Sequence, residues 1–206
     1  MMRDRLWYGV FLCGLAPFLW LVLLAVTDGL GANPIERITH FTGDWQLNLL
    51  LTALALSPLR RLTRKNIFIR FRRMLGLFAF FYVCLHFSTW LVLDQFFDWN
   101  DIVRDIVKRP FITVGFIAFL LLIPMAVTST RKMVQRLGPN WRKLHSCVYV
   151  IGTLGIIHYL WLVKADKLVP IIYGSIFILL LVLRLQVPQW AKNLPALQPQ
   201  RTGAQP

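Results

Sequence analysis

Four histidines are the side chains in this sequence best suited to hold a metal: His40, His86, His145 and His158. The last three fall in or beside long apolar runs, where an ionisable group is costly and marks a functional site by default. Along helical segments, His86 lies 12 residues after Met74, roughly 18 Å of rise, and His158 lies roughly 22 Å beyond Lys143. If both helices run the same way, those depths agree within one turn. Two imidazoles at one depth on two helices form a site for a planar metal group ligated on both faces, and haem suits it because apolar helices bury the macrocycle. No Cys-x-x-Cys-His occurs in the sequence, so a covalent c-type haem is excluded and the haem would be b-type. Zinc is disfavoured, since no cysteine or carboxylate stands beside the pair to complete four ligands. His145 lies only roughly 3 Å past Lys143, near the other membrane face. A second haem there would lack a histidine partner. Arg72 and Arg73 stand at the right depth to supply an unusual ligand or to pair a haem propionate. As ordinary interfacial charges they need no ligand role, and any one of these histidines could instead be a hydrogen-bonded helix bridge.

The rest of the chain must supply the helices. Of 206 residues, 57% are hydrophobic and 16% charged, with a mean hydropathy of +0.58. A soluble domain could not cover its core with so little polar surface. Disordered chains are poor in apolar and aromatic residues, and three cysteines make no disulfide framework. An all-α, polytopic membrane helix bundle remains. Six apolar stretches are expected to span, at about 6–26, 45–59, 74–97, 111–127, 144–163 and 169–185, each near the ~20 residues that a bilayer requires. They form one domain over 1–187, followed by a polar tail over 188–206. The first stretch is read as a retained helix, because Ala25-Val26-Thr27 is a poor signal-peptide cleavage site. Pro110 and Pro170 suit first helical turns, Asn140 suits the cap of the fifth helix, and Pro124 predicts a kink. No internal repeat is visible along the chain.

Charge sets the orientation. Segments 1–5, 60–73, 131–143 and 184–206 hold 17 Lys/Arg and one acid, whereas 28–44, 94–109 and 164–167 hold 6 Lys/Arg and 8 acids. The alternation matches six spans with both termini cytoplasmic. The net charge of +14 is therefore an orientation signal, and no nucleic-acid partner is implied. His40, in Ile38-Thr39-His40-Phe41-Thr42-Gly43, falls in the first external loop on this reading.

The run Arg72-Arg73-Met74-Leu75-Gly76-Leu77 followed by Leu85-His86 resembles the third helix of the ferric-reductase-like transmembrane family. Trp141-Arg142-Lys143-Leu144-His145 through Ile157-His158-Tyr159 is similar to that family's fifth helix. His40-Phe41-Thr42-Gly43, Thr128-Ser129-Thr130 and Leu137-Gly138-x-x-Trp141 resemble, within it, the haem-binding subunits of bacterial methionine-sulfoxide reductase systems. The resemblance covers about residues 8–186. It implies a bacterial inner-membrane electron carrier whose partner is a periplasmic molybdopterin enzyme of the MsrP type, which repairs oxidised periplasmic proteins. The implied donor is the quinone pool or a cytosolic flavin reductase, with FMN as a further cofactor. By position, His86 and His158 would carry the outer haem and His145 a second, inner site. Where the family's usual inner histidine stands on the third helix, this sequence has Arg72 and Arg73, so a second haem at His145 would have no histidine opposite it.

The short loops leave no room for a Rossmann unit, and no Gly-x-Gly-x-x-Gly is present, so the chain must receive electrons from another molecule. Residues 98–109 form an amphipathic surface segment, with Asn100 as its cap and Asp98, Asp101 and Asp105 on its polar side. It reads as a helix on the outer membrane surface or as part of a docking face. The seven basic residues of 60–73 suit anionic membrane lipid, and also a flavin phosphate or a quinone head. Two other classes stay open at this point: a six-helix transporter with an intramembrane histidine proton relay, and a stand-alone ferric reductase.

Overall fold

A computed structural model describes residues 2–185 of the chain; the expected tail at 188–206 lies outside the described residues. Every regular element among the described residues is helical. The first is α1, Met2–Val26. Next comes α2, Pro34–Thr63, thirty residues long, or about 45 Å. It starts where Asn33 accepts from the Glu36 N–H and Pro34 fills a first-turn position needing no donor, and it stops at Arg64, in left-handed backbone at φ 56°.

α3, Ile67–Ser88, continues without interruption into a π-helical turn at Thr89–Asp94. An amphipathic α4, Trp99–Lys108, follows, then α5, Pro110–Val127. Two short helices, α6 at Arg131–Leu137 and α7 at Pro139–Ser146, lead into α8, Val148–Leu162. The last is α9, Leu168–Leu185.

The core is an antiparallel pair of hairpins. α2 packs most extensively on α3 and α5 on α8, with α1 against α3 and α9 against α2 and α8. Leu47, Leu50, Leu51 and Leu54 of α2 are buried against Leu75, Ala79 and Tyr82 of α3, and Ile151, Ile156 and Phe177 continue the core toward α8 and α9. By contrast, Leu12, Leu19, Trp20 and Leu23 on α1 and Ile171, Ile178 and Leu179 on α9 are exposed. An apolar outer face of this kind belongs in lipid, and the molecule is a multi-pass membrane helix bundle. Arg5–Val26, Ile67–Asp94, Pro110–Val127 and Pro139–Leu162 are each long and apolar enough to cross, and Leu168–Arg184 is a shorter apolar helix.

Several local expectations are corrected. The second apolar stretch is the later part of a much longer helix, so His40 sits on α2 and not in a loop. The Asn33 cap and the first-turn proline start that helix early. The fifth stretch starts earlier than expected, at Pro139, and runs to Leu162 as one crossing segment, with Cys147, still in right-handed helical backbone, as the single residue between α7 and α8. Gly138, at φ 51°, caps α7 and Pro139 opens it, so Asn140 is already inside the helix. Asp98, and not Asn100, caps α4, because its carboxylate accepts from the Asn100 and Asp101 N–H groups. Asp105 does not lie on the polar side: it is 7% exposed and pairs with Arg109 at 3.3 Å.

Candidate functional site

Both hairpins present one histidine to the space between them. His86 comes from α3 and His158 from α8, and their ring centres are 6.1 Å apart with planes at 87°. Each ring is oriented by a backbone carbonyl. His86 Nδ1 bonds to the Thr39 carbonyl at 2.9 Å, and His158 Nδ1 to the Phe111 carbonyl at 2.7 Å. A carbonyl only accepts, so Nδ1 carries the proton in both rings and each Nε2 keeps its lone pair. That is the tautomer a metal-binding imidazole needs, with its orientation fixed by the outer hydrogen bond.

The spacing tests whether an iron fits. With metal–nitrogen bonds of about 2.0 Å and about 1.2 Å from ring nitrogen to ring centre, two axial imidazoles stand about 6.4 Å apart. The observed 6.1 Å is close to that value. Around the rings lies a cavity of about 310 Å³. Val83, Phe87, Phe116, Phe119, Leu122 and Ile151 make its apolar wall. Its polar lining, His40, Asp44, Trp90, Asp94, Arg109 and Tyr159, comes from the start of α2, the π-turn, the start of α5 and the end of α8, which is one end of the bundle. Among the described residues, Trp90 Nε1 is buried there with no hydrogen-bond partner. π-Helical turns inside α-helices are frequent at functional sites, and this one carries Trp90 to the cavity. A slot with apolar walls, one polar end and two unprotonated Nε2 atoms matches haem in its donor set and its polarity. No cluster of three or more His, Cys, Asp or Glu able to hold a bare ion occurs among the described residues.

The other proposed site residues lie elsewhere. His145, on α7, is at the opposite end of the bundle. The Thr128 hydroxyl donates to the Pro124 carbonyl at 2.6 Å, so it accepts from His145 Nε2 at 3.1 Å. His145 is therefore held in the opposite tautomer from His86 and His158. Trp141 stacks on its ring at 4.0 Å and donates Nε1–H to the Thr128 carbonyl at 3.0 Å. Arg72 is half-buried and lies near His145 and Arg184, while Arg73 is exposed.

Sequence reasoning missed the two carbonyls, the cavity's Trp90 and Arg109, and two glycines against the histidine rings, Gly43 and Gly115. The glycines did leave a signal, since a glycine inside a helix marks a close approach, but the sequence does not say that a histidine ring is what approaches. A carbonyl leaves none, because every residue has one.

Residues 42–156 match the family described as ferric reductase like transmembrane component. The chain is 58% identical to a Herminiimonas arsenicoxydans protein, across 85% of this chain and 82% of that one. It is 50% identical to one from Rhodospirillum rubrum across 99% and 95%, and 49% identical to one from Caulobacter vibrioides across 89% and 88%. Each of the three is named protein-methionine-sulfoxide reductase heme-binding subunit MsrQ.

Proposed function

This chain belongs to the ferric reductase like transmembrane family, and from that premise we propose that it is the haem b electron-transfer subunit of a methionine-sulfoxide reductase. His86 and His158 would hold the haem iron through their Nε2 atoms. The observation that carries this reading is the pair of Nδ1–carbonyl bonds, which leave two Nε2 atoms unprotonated on rings 6.1 Å apart. When bound, the haem supplies a one-electron ferric/ferrous couple. The chain's own residues hold the rings, exclude water with Phe87, Phe116 and Phe119, and offer Arg109 and the Trp90 N–H to the carboxylates of the macrocycle at the polar end.

The same reading gives the bundle six spans, with α2 and α9 joining the four long apolar helices, and puts both termini in the cytoplasm of a bacterial cell. The haem site then lies in the outer half of the inner membrane. Its acceptor is a periplasmic molybdopterin reductase that repairs oxidised methionines. Electrons enter from the quinone pool or a cytosolic flavin reductase, and the basic segment 60–73 faces that side, where FMN phosphate or anionic lipid would meet it. The inner site stays within this proposal as a second haem at His145, which requires its Nε2 to leave the Thr128 hydroxyl. A proton relay is disfavoured, since both Nδ1 protons end on backbone carbonyls that pass no proton onward.

Absorption spectra and a pyridine haemochrome assay on the purified chain test the assignment. A Soret band is expected, lost in His86→Ala and in His158→Ala; full haem content in both variants refutes it. His145→Ala lowers haem per chain only if the inner site is real.

A further inference from the structure

The two histidine mounts share one construction. Each Nδ1 meets a carbonyl 47 residues before it in the chain, near the start of the partner helix. One turn after each carbonyl stands a glycine facing the ring. Thr39, Gly43 and His86 recur as Phe111, Gly115 and His158, each 72 residues later, and the cavity walls follow the same shift at Leu47 and Phe119, Val83 and Gly155, and Phe87 and Tyr159. The site is two copies of one helical hairpin, α2–α3 and α5–α8, facing each other across the cavity. Of these pairs only the glycines and histidines match in identity, which is why no repeat is visible in the sequence.

Neither glycine tolerates a side chain at no cost. A Cβ at Gly115 would lie 2.7 Å from His158 Nδ1 and 2.9 Å from its Cε1, closer than carbon and nitrogen can stand. At Gly43 it would lie 3.2 Å from His86 Nδ1 and 3.3 Å from Cε1, so that ring would have to yield by a few tenths of an ångström. Resting on the haem reading above, we propose that Gly43 and Gly115 are positioning residues: by lacking a Cβ they let each imidazole edge lie against the neighbouring helix, which keeps Nδ1 on its carbonyl and the two ring planes perpendicular. The Nδ1 bond raises the basicity of the ligand, and a more basic imidazole favours ferric over ferrous iron. Perpendicular axial planes leave two iron d orbitals nearly equal in energy, which makes the low-spin ferric EPR signal strongly anisotropic.

The test compares Gly115→Ala, Gly43→Ala and Gly152→Ala with the unaltered full chain in detergent. Gly152 is the packing control, since a Cβ there would lie 2.5 Å from Phe177 and touch no histidine. Gly115→Ala should retain haem, raise its midpoint potential and make its EPR signal less anisotropic. Gly43→Ala should do the same more weakly, and it carries the test if Gly115→Ala does not accumulate. Gly152→Ala should alter stability alone. Unchanged potential and EPR in both histidine-facing variants, or equal changes in Gly152→Ala, overturn the proposal while leaving the haem reading intact. Absence of haem from the unaltered chain overturns that reading, and this proposal with it.

Discussion

Replacing Tyr82 by Phe removes one oxygen from the interior of the bundle, and that oxygen completes the backbone of another helix. Tyr82 is fully buried, at 0% exposure. Its hydroxyl donates to the Gly14 carbonyl and accepts from the Phe18 N–H, both at 2.9 Å. In an unbroken helix those two groups would bond each other. Pro17 lies between them; its ring crowds the carbonyl one turn back and opens the ladder, and Tyr82 inserts into the opening. Tyr82→Phe leaves one donor and one acceptor without that partner in an apolar setting. A buried unpaired group costs about 1–3 kcal/mol, but measured side-chain hydrogen bonds between membrane helices average about 0.6 and reach about 1.7 kcal/mol. The freed groups also recover part of the loss by moving toward each other. A net destabilisation of about 1–2 kcal/mol follows, roughly 5- to 30-fold in the unfolding equilibrium. Reversible unfolding in mixed detergent micelles measures it. A Tyr82→Phe chain that unfolds with the unaltered one, within about 0.3 kcal/mol, would refute the inserted-hydroxyl account.

Two further outcomes follow from local contacts. Asp98→Ala removes the cap that accepts from Asn100 and Asp101, so α4 should lose about 1 kcal/mol, seen as faster amide exchange across Trp99–Lys108 with the rest of the bundle unchanged. Gly152→Ala overpacks against Phe177 and should cost about 1–3 kcal/mol. Adding Phe177→Leu should recover part of that loss in a double-mutant cycle, and additive losses would show that the two residues do not meet.

Legibility varied from element to element. The helix start at Pro110 was written locally, as ring geometry and a missing donor; the same signal at Pro139 was masked by Asn140, which resembles a cap. The fifth span reads as one apolar run over 144–163, and it is one segment in the fold, Pro139–Leu162; its first turn lies before the apolar run, where Gly138 at φ 51° ends α6. Asp105 reads as a surface acid by its spacing, yet Arg109 and Gln95 satisfy it in a buried position. His40 falls between the apolar stretches 6–26 and 45–59, and hydropathy with charge places such a segment in a loop. Its helix is held instead by the Asn33 cap and by packing on α3, and neither is reported by hydropathy or charge.

By itself the sequence determined that the chain is an apolar helix bundle, that its excess charge lies in alternate segments, and that two histidines share a depth. Those properties depend on composition and on helical rise, which are local and count residue by residue. Tertiary structure decided that the two rings stand 6.1 Å apart at right angles, which nitrogen of each carries the proton, and that a glycine backs each ring. These depend on carbonyl oxygens and absent side chains contributed by helices far away in the chain, and such groups acquire meaning only when packing brings them against an imidazole.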